Sequence, residues 1–139
     1  PPSELGPALK RFVDAIAPGG VGFIAHSRDA GHYIQFYRRF LDAHRGGEGT
    51  QYSTAEEIEE TLASIGVAFE SQDITYTNGA PESERAVIEH YLQRCVFDDT
   101  VTLDQLRATA ETGSYLETCL TNGTWSFPQS VAMITLRAP

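Results

Sequence analysis

The segment that most restricts this chain is "SELGPALKRFVDAIAPGGVGFIAHS", residues 3–27. Leu5, Leu9, Phe12, Val13 and Ile16 recur at the spacing of one helical face. Pro18 and the Gly19-Gly20 pair cannot continue that helix, and "VGFIAHS" behind them reads as a short buried strand. The order is therefore helix, glycine turn, strand. A loop that grips phosphate needs the opposite order, leaving a strand and opening a helix so that free N–H groups and the helix dipole converge on the anion. These glycines turn the chain and cradle nothing.

The same alternation continues downstream. "DAGHYIQFYRRFLDAHRGGEG" places Tyr33, Phe36, Tyr37 and Phe40 on one helical face and ends in a glycine-rich loop. Thr54 followed by Glu57 is a capping box, Ile58, Leu62 and Ile65 form the apolar stripe behind it, and Gly66 closes the helix. "VAFESQDIT" then alternates as a strand. Asn78-Gly79 reads as a turn, Pro81 and several acids as a helix start, and Val87, Ile88, Tyr91, Leu92 and Cys95 as that helix's stripe. Thr102 and Gln105 repeat the capping box ahead of a short helix. "WSFPQSVAMITLR" is a final strand whose start Pro128 disturbs, because proline cannot donate to a sheet ladder. The expected order is helix, strand, helix, helix, strand, two helices, strand: an α/β sheet with helices packed over it. Three strands under so many helices read as half a sheet.

At 139 residues the chain suits one domain, 1–139, large enough for a real core. No apolar run approaches a membrane span, and the start has neither the basic nor the hydrophobic region of a secretion signal, so the expected setting is the cytoplasm. A formal charge of -9 opposes nonspecific binding to nucleic acid. Cys95 and Cys119 lack metal spacing and read as reduced, partly buried thiols. His32, His44 and His90 share no ligand spacing, which argues against a metal site. "NGT" at Asn122 to Thr124 matches a glycosylation acceptor but reads as a turn. Pro1-Pro2 directly before a helix suggests a processed product or a piece of a longer protein.

Several stretches resemble a known family. "ALKRFVDAIAPGGVGFIAHS" looks like the segment leading into the fifth strand of class I S-adenosylmethionine-dependent methyltransferases. Downstream the similarity narrows to the histamine N-methyltransferase group: "AGHYIQFYRRF" resembles its Ser/Gly-aromatic helix, and "TQYSTAEEIEETLASIGVAFESQDI" its Gln-Tyr-x-Thr segment with the following helix and strand. "YLQRCVF" resembles its helix ending Cys-x-Phe, and "WSFPQSVAMITL" its closing strand. The resemblance implies the C-terminal part of a Rossmann-like class I methyltransferase sheet with inserted helices on the substrate side. The family's first strand, its cofactor-holding glycine loop and its ribose-binding acid have no counterpart in this chain, so the isolated chain is expected to be inactive. It also implies S-adenosylmethionine as cofactor, bound mainly by a region outside these residues, and a small-molecule acceptor, with an amine nitrogen favoured.

Carried over by position, the resemblance makes Tyr33 and Tyr37 stand for two tryptophans presented to the amine, Thr50 for a cysteine, Tyr52 and Phe97 for aromatic walls, and Gln129 for an asparagine that hydrogen-bonds the substrate. Methyl transfer from a sulfonium needs alignment and dryness more than acid-base help. Aromatic faces suit that work, holding a cationic or flat substrate with about 0.5 to 2 kcal/mol per contact. The competing reading of each aromatic is core packing, and of Gln129 a solvated residue beside Pro128. No residue is assigned a catalytic role. His26, at the end of its strand, reads as a hydrogen-bonded structural histidine in preference to a base, and the "EEIEE" acids at 56–60 as a solvated helix face. The alternative function is a non-enzymatic, methyltransferase-like binder or oligomer-forming partner, its open sheet edge favouring a second chain.

Overall fold

The computed structural model describes residues 2–137. A short 3-10 turn, Pro2–Glu4, leads into α1 (Leu5–Asp14), followed by β1 (Val21–Ser27), α2 (His32–Arg45) and α3 (Ala55–Ser64). Then come β2 (Phe69–Pro81), α4 (Arg85–Val96), α5 (Leu103–Ala108), α6 (Ala110–Cys119), β3 (Leu120–Thr121) and β4 (Thr124–Arg137). The sheet is ordered β1-β4-β2, with β3 attached to β4 as a hairpin. The last strand in sequence thus lies between the two earlier ones. β4 runs antiparallel to β1 from Val21↔Arg137 to Ser27↔Val131. At its other end Glu82 donates its N–H to the Gly123 carbonyl at 2.8 Å.

The chain divides into two units. The first takes residues up to Gly31, Thr50–Thr75 and Ser130 onward. Its core joins Leu9 of α1, Ala55, Ile58 and Leu62 of α3, and Ala132, Ile134 and Leu136 of β4, with Leu5, Val13, Ile16 and Ile24 packed against them. Gly22 permits α1 to lie close, since a Cβ there would stand 2.7 Å from Ile16 and 3.0 Å from Phe12. The expected capping box of α3 forms in both directions: Thr54 N–H donates to Glu57 at 2.8 Å and Glu57 N–H to Thr54 Oγ1 at 3.3 Å.

The end of β1 is pinned by Arg28. Its guanidinium donates to Glu59 of α3 at 2.7 Å and to Asp73 and Ser71 of β2 at 2.9 and 3.2 Å. Ser71 closes the set by donating to Glu59 at 2.6 Å, and Asp29 N–H donates to Glu56 at 3.1 Å. The acids of α3 are therefore not simply a solvated face: Glu57 caps the helix, while Glu56 and Glu59 fix the strand end. The Arg28 hydrogen bond holds the Glu59 carboxyl below its usual range.

The second unit, His32–Gly49 and Tyr76–Gln129, packs α2 against α4 and α6, with α5 on α6. Its buried side chains include Phe36, Phe40, Ile88, Leu92, Leu106, Leu116, Trp125 and Phe127. Three expectations are corrected here. Asn78-Gly79 is no turn but lies inside β2, where a Cβ on Gly79 would collide with the Trp125 carbonyl oxygen; glycine permits this close strand approach. Three helices follow β2 instead of two, because α6 forms through a sequence poor in helix formers: Gly113 lets its backbone approach the Arg107 carbonyl, and Thr112 Oγ1 donates to the Leu106 carbonyl at 2.5 Å. The fourth strand is β3, paired with β4 across Asn122 and Gly123, whose φ of 51 and 71° make a tight hairpin at the "NGT" site.

Pro128 does not interrupt β4, which is continuous past it. The buried positions switch from odd (Trp125, Phe127, Gln129) to even (Ala132, Ile134, Leu136), so the strand serves one core in each unit. Val87, expected on the α4 stripe, is 54% exposed, whereas Ile88, Leu92 and Cys95 are buried as the spacing requires.

Replacing Arg28 by Met removes the charged partner of the part-buried Glu59, leaving it Ser71 alone, and is expected to lower stability by about 1 to 2 kcal/mol in urea melts. Because the Glu59 carboxyl titrates below its unfolded value, its contribution is present at neutral pH and lost as pH falls through the carboxylate range. Glu59→Gln should flatten that loss between neutral pH and about pH 4.

Candidate functional site

In the second unit, α2 opens on His32, which is 1% exposed and enclosed by rings. Phe36, one turn on, stacks on the imidazole at 5.3 Å; Tyr91 of α4 and Tyr115 of α6 stack at 5.7 and 5.6 Å, and Phe127 of β4 tilts against it at 4.6 Å. His32 Nδ1 lies 2.8 Å from the Tyr115 hydroxyl. Burial lowers the His32 pKa to about 3, so the ring is neutral. Its Nε2 is buried and has no hydrogen-bond partner among the described residues.

Gln129 reaches the same cluster from β4. It is 2% exposed and donates through Nε2 to the Tyr91 hydroxyl at 2.8 Å; Asn78 of β2 donates to the same oxygen at 3.3 Å. Gln129 Oε1 is buried and unpartnered among the described residues. Gln129 is thus a buried residue aimed into a ring cluster, and the solvated alternative falls away. Burial pushes the Tyr91 and Tyr115 hydroxyls well above their ordinary range and Cys95, beside Tyr91, up to about 12. None of these side chains carries charge at neutral pH; the guanidinium of Arg39 lies over the Tyr115 ring at 4.7 Å.

The residues expected to line a site fall into separate groups. Tyr33 joins the His32 cluster, tilted 6.2 Å from His32 and 6.3 Å from Tyr91, so it and Gln129 meet through Tyr91. Tyr37 is buried and meets Phe97 edge-on at 6.3 Å. Phe97 itself is 75% exposed and caps α4 in the left-handed conformation, φ 53°, where glycine is the usual residue. Thr50 and Tyr52 belong to the first unit, where with His26, Glu4 and Ser53 they line a recess of about 380 Å³. His26 Nδ1 is buried without a partner among the described residues, which corrects its reading as a hydrogen-bonded histidine.

Sequence reasoning passed over His32, Tyr91 and Tyr115. Tyr91 was visible only as part of an apolar stripe, and His32 only as one of several histidines lacking metal spacing. Both free cysteines are buried, as expected. Among the described residues no group of His, Cys, Asp and Glu is placed to hold a metal, and no helix is long and apolar enough to cross a membrane.

Comparison with known proteins adds one finding. No family model and no curated protein sequence matches the chain. Among solved structures, a Bacillus halodurans C-125 protein that carries a provisional methyltransferase assignment superimposes with a TM-score of 0.51 at 12% identity, over 99% of this chain. The chain spans only 58% of the length of that protein. At this identity the likeness speaks for the fold alone: a mixed α/β chain with an open antiparallel sheet, of the kind found in a methyltransferase-assigned protein.

With its pKa lowered, His32 binds a proton less readily folded than unfolded, so stability should decline as pH falls from about 6.5, the free-imidazole value, toward about 3. NMR titration should show one histidine that stays neutral through that window, and His32→Phe should remove both that resonance and the acid slope. Tyr91→Phe strands two amide donors and should cost about 1 to 3 kcal/mol in thermal or urea unfolding.

Proposed function

We propose that this chain is the acceptor-side portion of an S-adenosylmethionine-dependent methyltransferase that acts on a small molecule, with an amine nitrogen as the favoured nucleophile. The observation that carries the reading is the match over 99% of this chain to 58% of a longer methyltransferase-assigned protein. It agrees with the resemblance of β1 to the family's fifth strand and of β4 to its closing strand. Gln129 supports the acceptor role: a buried amide whose carbonyl is left free, within a cluster of aromatic faces, is what holding a small polar substrate away from water requires.

The residues described here do not fit the methyl donor. Gly19 and Gly20 close a turn in which Gly20 N–H donates to the Ala17 carbonyl at 2.7 Å, and they precede β1 instead of opening a helix. In this reading the donor is gripped by polypeptide beyond this chain, and the isolated chain is inactive and cytoplasmic. In the second unit Tyr33, Tyr37, Phe97 and Gln129 serve substrate binding, while Thr50 and Tyr52 line the separate recess of the first unit; none is assigned a step in the chemistry.

A second reading, a non-enzymatic module that pairs with another chain, is favoured by β1. It ends the β1-β4-β2 order, and Val21 and Phe23 on it are 44% and 61% exposed. An apolar edge strand invites further pairing. Both readings expect a partner polypeptide at that edge, and they differ in whether methyl transfer results.

Calorimetry of the isolated chain with S-adenosylmethionine is expected to show no tight binding; micromolar affinity would overturn the division of labour proposed here. In the complete enzyme, Tyr37→Ala and Gln129→Ala should each cost at least about tenfold in kcat/KM without unfolding the protein. Unchanged kinetics in both would remove the site.

A further inference from the structure

A recess of about 430 Å³ in the second unit is lined by the last turns of α2, the loop after α4, and α5. None of its residues was carried over by the family resemblance. Phe40 and Val101 give it an apolar side, and His44, Arg45, Asp98, Thr100 and Gln105 a polar one. The hydrogen bonds already made leave that polar side rich in donors. Asp98 is fully engaged: one carboxylate oxygen accepts from Thr100 N–H at 2.9 Å and Thr100 Oγ1 at 2.6 Å, and the other from Arg45. Arg45 spends one N–H there, and its other donors have no partner among the described residues. Gln105 accepts through Oε1 from Thr102 N–H at 2.8 Å in the capping box, which leaves its amide NH₂ unspent. His44 stacks on Phe40 at 5.0 Å, and the Arg45 guanidinium lies over the same ring at 5.7 Å. His44 Nε2 is buried without a partner among the described residues, and a proton there would be orphaned, so the neutral ring carries its proton on Nδ1, the nitrogen that is not enclosed.

We infer that this recess binds a small monocarboxylate with an apolar body, the carboxylate on the unspent donors of Arg45 and Gln105 and the body toward Phe40 and Val101. Donors left without acceptors select an accepting ligand, and a guanidinium among them favours an anionic one. Asp98 in the same recess and the chain's formal charge of -9 penalise every further negative charge, which favours a singly charged carboxylate over a doubly charged phosphate. Asp98 also prepares the site: fixed by Thr100, it holds the guanidinium in place before a ligand arrives. A basic residue in the last turn of α2 suits the helix dipole by itself, but that role does not call for Gln105 of α5 to bring a second unspent donor to the same recess.

The test needs no methyl donor and uses none of the residues on which the methyltransferase reading rests, so either can fail alone. Sodium benzoate is titrated into the full chain at constant ionic strength while the histidine ring resonances are followed by NMR, the His44 signal being assigned by its loss in His44→Gln. Benzamide, of the same shape without the charge, is the control. Benzoate should bind in the millimolar range expected of so small a ligand and shift the His44 resonances. Benzamide should bind at least about tenfold more weakly. Arg45→Gln removes the charge, and Gln105→Glu keeps the capping box while turning the amide donor into a carboxylate; each should weaken benzoate binding at least about tenfold, with thermal unfolding checking that the variants fold. Equal binding of benzoate and benzamide to the wild-type chain, or no shift at His44 up to about 100 mM benzoate, a concentration far above that range, overturns the inference whether or not the variants fold. Unchanged benzoate binding in both folded variants overturns it as well.

Discussion

The antiparallel ladder between β1 and β4 is the constraint on which the rest depends. Its register, Ile24 opposite Ile134 and Gly22 opposite Leu136, puts every even-numbered apolar side chain on the face covered by α1 and α3. A slip of one residue would reverse the faces of a whole strand. The ladder also sets the chain's exit from β1: Arg28 N–H donates to the Ser130 carbonyl at 2.8 Å, and Gly31 lies so close to Ser130 that a Cβ would stand 3.1 Å from its backbone. The Arg28 side chain then ties this exit to Glu59 and Asp73. Register, side-chain anchoring and glycine together fix the path of the chain out of β1 as far as Gly31.

Much of the architecture could be read from local chemistry. The capping boxes at Thr54 and Thr102 form as the residue types require, and Gly66 follows α3 with a φ of +74°. These signals are legible because their partners lie within a few residues. The failures share the opposite cause. Asn78-Gly79 has the composition of a turn, yet its conformation is decided by a strand far away in sequence, and Gly79 is required by the Trp125 carbonyl instead of by a bend. α6 has weak helical propensity and is held by packing on α2 and α5. The acids of α3 have the pattern of a solvated face until Arg28, 31 residues before Glu59, reaches them.

The candidate site shows the same limit more sharply. An aromatic stripe in a sequence does not say which rings will carry function, because core packing and ligand faces use the same residues. Tyr37 and Phe97 do meet, but one is buried and the other largely bare. What marks His32 and Gln129 is a property no spacing encodes: polar atoms enclosed without a partner among the described residues. Periodicity placed Tyr91 on the buried face of α4 correctly, and it could not reveal that the hydroxyl at the end of that side chain would gather two amides from two different strands.

The cost of those atoms bears on how the protein balances stability against use. A core built for stability alone would fill the His32 position with phenylalanine, as it does one turn later at Phe36, and the Gln129 position with an aliphatic residue, as it does at Ala132, Ile134 and Leu136. Each orphaned group removes about 1 to 3 kcal/mol from a total that rarely exceeds about 15 kcal/mol for a domain. The surrounding hydrogen bonds do not relieve that cost; Tyr115 and Tyr91 satisfy one polar atom of each side chain and leave the other without a partner among the described residues. They hold the imidazole and the amide in one orientation. The same rings that strip water from His32 and keep it neutral also make a hydrogen bond to its free nitrogen stronger than one made in water. Desolvation is therefore both the penalty this cluster carries in the fold and the reason its imidazole stays neutral.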